Sequence, residues 1–126
     1  MVGILSGCIL YVEPYGSDSS GGSYDFDFWF DNVSVGCDYD YYYDESYWYV
    51  TADTGGPGVY DILGVEALVD DLYAAGFTEA IYMYATSDTH WEGEFISSYY
   101  YCGYSYDFEF VAYDYDGNWV NAWTVW

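Results

Sequence analysis

Apolar and polar side chains alternate with a period of two along most of this chain, the pattern of β-strands with one covered and one exposed face. Between residues 24 and 31, aromatic rings occupy the even positions, whereas Asp25, Asp27, Trp29 and Asp31 occupy the odd ones. The pattern therefore predicts a strand with an apolar face and an acidic face.

A second alternating segment covers residues 37–44, where Asp38, Asp40, Tyr42 and Asp44 alternate with Cys37 and three tyrosines. We expect residues 32–36 to form the turn between these two acid-faced strands, and residues 46–51 to extend the second or begin the next. Further strands are predicted over residues 79–86, 91–97, 99–113 and 119–126, separated by the turn-like sequences SDTH and DGN.

The spacing of apolar residues changes to a helical one after the glycine-rich segment 53–58. Between residues 59 and 75, one stripe is formed by Ile62, Val65, Leu68, Val69 and Leu72. Gly76 suits the position just after a helix end. The sequence therefore predicts a single α+β domain, with an antiparallel β-sheet of about five to seven strands and one α-helix, residues 59–75, packed on its apolar face.

Charge narrows the possible functions, because the 126 residues include 22 aspartates and glutamates and no lysine or arginine. About 15 basic residues would be usual at this length. Direct nucleic-acid binding is disfavoured, since no cation is available for phosphates, and an anionic membrane surface would repel the chain. An aromatic content of 26% argues against intrinsic disorder and for a packed core.

The cysteines and the N-terminus bear on the compartment. Cys8, Cys37 and Cys102 lie far apart without metal-ligand spacing, so buried reduced thiols are favoured, and one disulfide with a leftover thiol stays open. The LSGC sequence at residues 5–8 has too short an apolar stretch and no positively charged start for a lipoprotein signal. We expect a cytoplasmic protein with no membrane span.

Pairs of acidic residues at positions i and i+2 recur along the predicted strands, at a separation of about 6.6 to 6.8 Å. Successive phosphates on one DNA strand lie on the order of 6 to 7 Å apart through space. The alternative interpretation is an ordinary solvated sheet face. The candidate partner-binding residues are Asp25, Asp27, Asp31, Asp38, Asp40, Asp44, Glu92, Glu94, Asp107 and Glu109, with Tyr42 as an aromatic anchor.

These features favour a DNA mimic. A compact domain of this length is roughly 35 Å across, and about 37 Å of duplex DNA carries 22 negative charges. The expected partner is a basic nucleic-acid-binding protein, such as a restriction enzyme or a CRISPR effector, bound by a monomer or dimer of this chain. In overall character the chain resembles phage and plasmid anti-restriction and anti-CRISPR proteins, a group that shares no single fold or motif.

Other function classes remain as alternatives. An enzyme is not expected, because the only histidine, His90, lies in no catalytic motif, and no cofactor or metal is predicted. The segment from Asp114 to Asn118 has some features of a calcium loop, but its spacing favours a hairpin turn. The alternatives are a tyrosine-rich structural or surface assembly protein and an acidic cation-binding domain, either calcium-dependent or halophilic.

Overall fold

The computed structural model of the protein describes residues 11–13, 27–70 and 78–126. Within these ranges the chain forms nine β-strands and one short 3₁₀ turn, Val59–Asp61. The strands are β1 (Tyr11–Glu13), β2 (Trp29–Asp40), β3 (Glu45–Gly55), β4 (Ile62–Asp70), β5 (Thr78–Tyr82), β6 (Tyr84–Ala85), β7 (His90–Ser97), β8 (Asp107–Asp114) and β9 (Trp119–Val125).

The strands form two antiparallel sheets that pack face to face. The first sheet, in the order β1-β9-β8-β4-β5, has five strands, and the second sheet, β2-β3-β7-β6, has four. The chain passes from one sheet to the other at Met83, whose N–H donates to the Val65 carbonyl at 3.0 Å. The result is an all-β sandwich, in which long strands such as β2, β3 and β8 bury one side and turn the other outward.

The core lies between the sheets and is dominated by aromatic rings. Trp48 of β3 is fully buried, and its ring contacts those of Phe95, Phe108 and Trp126 at centroid distances between 5.4 and 6.3 Å. The Trp48 Nε1–H donates to the Tyr100 carbonyl at 2.8 Å, so this polar atom is satisfied inside the core. Aromatic alternation thus provides both the strand pattern and the packing volume.

The prediction of an α+β fold with a helix over residues 59–75 is wrong. Residues 62–70 form β4, between β5 and β8 in the first sheet, and residues 71–75 of the predicted helix lie outside the described ranges. Val65 and Val69 share a face in either conformation, because an i, i+4 spacing fits both periods. Ala67 is buried with them, so the observed period is two. Backbone pairing with strands on both sides decided between the two conformations.

The turn predicted at residues 32–36 is also wrong. Strand β2 runs through this segment with a β-bulge between Phe30 and Asn32, and the chain turns instead at residues 41–44. Before the bulge the even-numbered Phe28 and Phe30 are buried, and after it the odd-numbered Val33, Val35 and Cys37 are. The extra residue of the bulge shifts the apolar–polar alternation by one position. In the sequence this shift interrupts the alternation, and the interruption was interpreted as a turn.

Cys37 and Cys102 form a disulfide across 65 residues of sequence. The preference for reduced thiols is therefore wrong for these two cysteines, and Cys8 lies outside the described residues. The bond joins β2 to the loop between β7 and β8, a segment expected to be extended, where the strand in fact begins only at Asp107. The hairpin turn predicted around Gly117 is confirmed, since β8 and β9 pair on either side of it.

Candidate partner-binding face

The outward side of the four-stranded sheet carries acidic and tyrosine side chains together, and we call it the acidic face. It is built from alternate residues of β2, β3, β6 and β7, because the intervening residues fill the core. Its members are Asp38, Asp40, Glu45, Asp53, Glu92 and Glu94 with Tyr47, Tyr49, Tyr84 and His90.

Strand register interleaves the carboxylates with tyrosine rings. Tyr49 of β3 pairs with Gly36 of β2 on one side and with Glu94 of β7 on the other. The next row along the same strands joins Asp38, Tyr47 and Ile96. Because Gly36 has no side chain, the Tyr49 ring lies in an open position between acidic neighbours.

The acidic neighbours of Tyr49 affect the pKa of its hydroxyl. Its pKa is raised, first because partial burial disfavours the phenolate, and then because Asp38 and Glu94 are negative and close. A hydrogen bond with Asp38 contributes in the same direction. The hydroxyl therefore stays protonated and presents a neutral, polarised ring between two anions.

His90 is the single histidine of the chain, and it is held between two carboxylates at one end of the acidic face. Its Nδ1 lies 2.6 Å from Asp53 Oδ1, and its Nε2 lies 3.0 Å from Glu92 Oε2. The pKa of His90 is raised, chiefly by the hydrogen bond to Asp53, whereas partial burial acts against this shift. When protonated, it neutralises part of the charge of this end.

The other end of the acidic face finishes in a turn of three consecutive tyrosines. Asp40 Oδ1 accepts the backbone N–H groups of Tyr42 and Tyr43, at 2.8 and 3.3 Å, and thereby organises the turn. Asp44 closes the turn with a positive φ of 55°, which aspartate tolerates better than most residues. Tyr41 and Tyr42 are 89% and 86% exposed, so their rings face solvent.

The structure brings together some of the predicted site residues and separates others. Asp38, Asp40, Glu92 and Glu94 lie on the acidic face, while Asp31 and Asp44 lie at its margins and Tyr42 in the adjoining turn. Asp27 is exposed, but its carbonyl accepts the Gly58 N–H at 2.6 Å, away from the face. Asp107 and Glu109 lie on the outward side of the five-stranded sheet, and Asp25 lies outside the described residues.

Six acidic-face residues were not among the predicted site residues, namely Glu45, Asp53 and His90 with the tyrosines Tyr47, Tyr49 and Tyr84. The signal for Glu45 and Asp53 is present, because residues 45–53 continue the alternation around Trp48, Val50 and Ala52. For His90 the local signal is limited to Glu92, which lies two residues further along the same strand and therefore on the same side. Its two carboxylate partners come from different strands, so only the pairing of β3 with β7 brings the three side chains together.

The rest of the described chain adds two observations. In residues 27–70 and 78–126, no three histidine, cysteine, aspartate or glutamate side chains group together in a way that could hold a metal ion. Among the described residues there is also no helix with the length and apolarity needed to span a membrane.

Fold and site together define a disulfide-linked antiparallel β-sandwich with one acidic, tyrosine-bearing face. Comparison of the chain with protein-family models, curated proteins and solved structures finds no match. A function for the chain is therefore inferred from the geometry of the acidic face.

Proposed function

We propose that this protein binds the basic, nucleic-acid-binding surface of another protein and competes there with nucleic acid. The observation that carries the proposal is the acidic face, where six carboxylates share one sheet surface in a chain without lysine or arginine. Arginine and lysine side chains of a partner would supply the missing counter-charges, through charge-assisted hydrogen bonds.

The spacing of the face suits this role. From Glu45 to Asp53, β3 advances about 27 Å at roughly 3.3 Å per residue, and neighbouring strands lie about 4.8 Å apart. One DNA strand carries about eight phosphates over the same length. The six carboxylates of the face therefore approach the linear charge density of a single strand, although not that of a duplex.

Tyrosine rings add contact area that charge alone does not provide. Tyr49 and Tyr84 are 41% and 54% exposed on the face, and the tyrosine turn extends beyond it. Tyrosine buries a large surface with little loss of conformational freedom, and it is common at binding hot spots. Complementary charge accelerates the encounter, and the rings then contribute to a slow dissociation.

The disulfide indicates the kind of compartment in which the protein would bind such a partner. Disulfides persist in oxidising compartments and are rare in the cytosol of most organisms. The Cys37–Cys102 bond therefore favours a basic partner outside the reducing cytoplasm, in contrast to the location expected from the sequence. Non-reducing mass spectrometry of the protein from its native cells would show whether the bond is present there.

The experiment is affinity capture at low salt, followed by elution with competing duplex DNA and identification of the eluted proteins. We expect nucleic-acid-binding proteins that leave the column with DNA and with salt. Recovery only of proteins that DNA does not displace would contradict the proposal. Because any polyanion attracts basic proteins, matched variants must show that one face is responsible.

The matched variants remove the same number of charges from the acidic face and from positions away from it. Asp38→Asn, Glu45→Gln and Glu94→Gln neutralise the acidic face, and we expect at least about tenfold weaker binding with a shallower salt dependence. Glu66→Gln, Asp107→Asn and Asp116→Asn form the control, for which we expect less than about a threefold change. Equal losses from both triple variants would mean that net charge alone drives the binding.

The long edge strand β2 favours a second candidate function, assembly into a surface structure. An unpaired edge of twelve residues can template pairing with another chain. The bulge after Phe30 and the exposed Asp31 and Asp38 oppose such pairing. Sedimentation decides between the two, since discrete monomers or dimers support partner binding and open-ended polymers support assembly.

A further inference from the structure

A cleft of about 380 Å³ lies at the end of the sandwich beside the tyrosine turn. Its walls carry four tyrosines, Tyr39, Tyr99, Tyr101 and Tyr104, together with the carboxylate of Asp44. This volume is near the lower limit for ligand sites, which is about 300 Å³. Tyrosine faces beside a carboxylate are the chemistry that recognises organic cations.

The rings form a continuous aromatic wall. Tyr39 and Tyr101 meet edge to face with centroids 5.1 Å apart, and Tyr101 meets Tyr104 in the same way at 5.4 Å. Tyr101 and Tyr104 are 40% and 66% exposed, so parts of both rings face solvent. In edge-to-face pairs one ring presents its face, where the negative quadrupole potential attracts a cation.

Asp44 supplies the charge at this wall. The Tyr39 hydroxyl donates a hydrogen bond to Asp44 Oδ1. This bond raises the pKa of Tyr39 to about 12, so the phenol stays protonated as the donor. The Asp44 side chain lines the cleft. The second carboxylate oxygen, Oδ2, takes no part in that bond, and a carboxylate can accept from a ligand through this oxygen as well.

The loop that carries Tyr99, Tyr101 and Tyr104 is held in place before any ligand arrives. The disulfide attaches Cys102 to β2, and the Cys102 N–H donates to Ser46 Oγ at 3.1 Å. The Tyr101 N–H donates to the Tyr106 hydroxyl at 3.1 Å, and the Tyr104 N–H donates to the Tyr101 carbonyl at the same distance. Preorganisation of this kind lowers the entropy cost of binding.

We propose that this tyrosine cleft binds a guanidinium group, presented as an arginine side chain of the basic partner. Guanidinium is planar, stacks on aromatic faces and donates several hydrogen bonds in a fixed fork, which suits a ring wall with one carboxylate better than a lysine ammonium does. The identity of the occupant depends on the function proposed above, whereas the affinity of the cleft for guanidinium does not.

The test titrates the oxidised full-length protein with N-acetyl-arginine amide and, in parallel, with N-acetyl-citrulline amide, its neutral isostere. Two-dimensional NMR at about 0.15 M salt, where diffuse attraction is screened, follows the amides of residues 97–104. We expect saturable shifts with the arginine compound, at least about fivefold weaker binding of the citrulline compound, and weaker binding of N-acetyl-lysine amide. Equal binding of the arginine and citrulline compounds, or tighter binding of lysine, would overturn the assignment.

Two variants locate the site. Tyr104→Ala removes one ring and Asp44→Asn removes the charge while keeping a residue that tolerates a positive φ, and each should weaken arginine binding about threefold or more. Tyr115→Ala and Asp116→Asn, in the distant turn between β8 and β9, should leave it unchanged. Losses that are equal in both pairs would show only diffuse attraction to a polyanion and would refute the cleft.

The same titration separates the two proposals. If the arginine compound binds at the cleft but no nucleic-acid-binding partner is captured, the cleft is established and the partner-binding function fails. If a partner is captured and Tyr104→Ala leaves its affinity unchanged while the arginine compound does not bind, the cleft assignment fails and the acidic face stands alone.

Discussion

The two outward sides of the sandwich are built by the same alternation but have different surfaces. The acidic face of the four-stranded sheet carries six carboxylates and three tyrosines. The outward side of the five-stranded sheet carries Leu68, Val111, Trp119 and Trp123, all half-buried, with fewer acids between them. Alternation thus determines which residues face outward, and composition determines what each outward surface can do.

The outward side of the five-stranded sheet is also more closely packed. Asn121 is only 8% exposed there, and its Nδ2 donates to Glu109 Oε2 at 2.9 Å. Its Oδ1 is buried and has no hydrogen-bond partner among the described residues. On the acidic face, by contrast, carboxylates such as Asp38 and Glu94 are exposed. The two outward sides therefore differ in how far their polar groups are exposed to solvent.

The largest expected effect follows removal of the disulfide. It tests whether the bond stabilises β2 and the loop at 98–106 more than it stabilises β8 and β9. Replacing both Cys37 and Cys102 by Ala should destabilise the protein by about 4 kcal/mol, from the loop-entropy model for a closed loop of roughly 65 residues. Urea unfolding measures the loss, and wild type with reductant should behave like the variant. In hydrogen exchange, β2 and the loop at 98–106 should lose protection before β8 and β9. Simultaneous loss in all strands would contradict this order.

A pair of glycine substitutions compares the packing of the two outward sides. At Gly64, on the five-stranded sheet, an added Cβ would lie 2.6 Å from the Tyr113 hydroxyl and 2.8 Å from Cζ, so the ring must move. At Gly36, on the acidic face, the nearest atom is Tyr49 Cδ2 at 3.9 Å, an ordinary contact. We expect Gly64→Ala to lower the free energy of unfolding by about 1 kcal/mol. We expect Gly36→Ala to leave it unchanged or to raise it slightly. Urea unfolding measures both. The reverse order would show that the acidic face is the closer packed.

A pair of charge substitutions compares the electrostatics of the two sides. Glu45 lies directly opposite Asp40, whereas Glu66 lies between Tyr82 and Val111. Because like charges directly opposite each other destabilise a sheet, Glu45→Gln should raise the unfolding free energy by about 0.5 kcal/mol, and Glu66→Gln should change it little. The difference should vanish in about 1 M salt, where screening is nearly complete. A gain that persists in such salt would have another cause.

The smallest effect concerns His90, which links Asp53 and Glu92. Since the folded state raises its pKa, the stabilisation by His90 is fully present below the unfolded pKa of about 6.5 and is lost as pH rises through the folded value. We expect the urea midpoint to decline across this range in wild type and less in His90→Gln. Identical pH profiles would mean that the two carboxylates do not hold the charged imidazole.

How far the sequence predicted the structure depends on the element. The alternation around Phe28 and Phe30 identified a strand and its buried side, because period two is a local property of extended backbone. The predicted helix failed because Val65 and Val69 fit both periods, and only the neighbouring strands distinguish them. Asp107 and Glu109, which were grouped with the acids of the other strands, lie on the five-stranded sheet, since nothing local tells which sheet a strand joins.

By itself, the sequence determined the absence of basic residues, the strand character of most of the chain and the side of each strand that carries acids. Tertiary structure alone decided that Cys37 pairs with Cys102, that His90 lies between Asp53 and Glu92, and that the tyrosine cleft exists. The reason is physical. Side-chain direction along a strand follows from backbone geometry between adjacent residues, whereas partners distant in sequence meet only when the whole sandwich has buried its aromatic core.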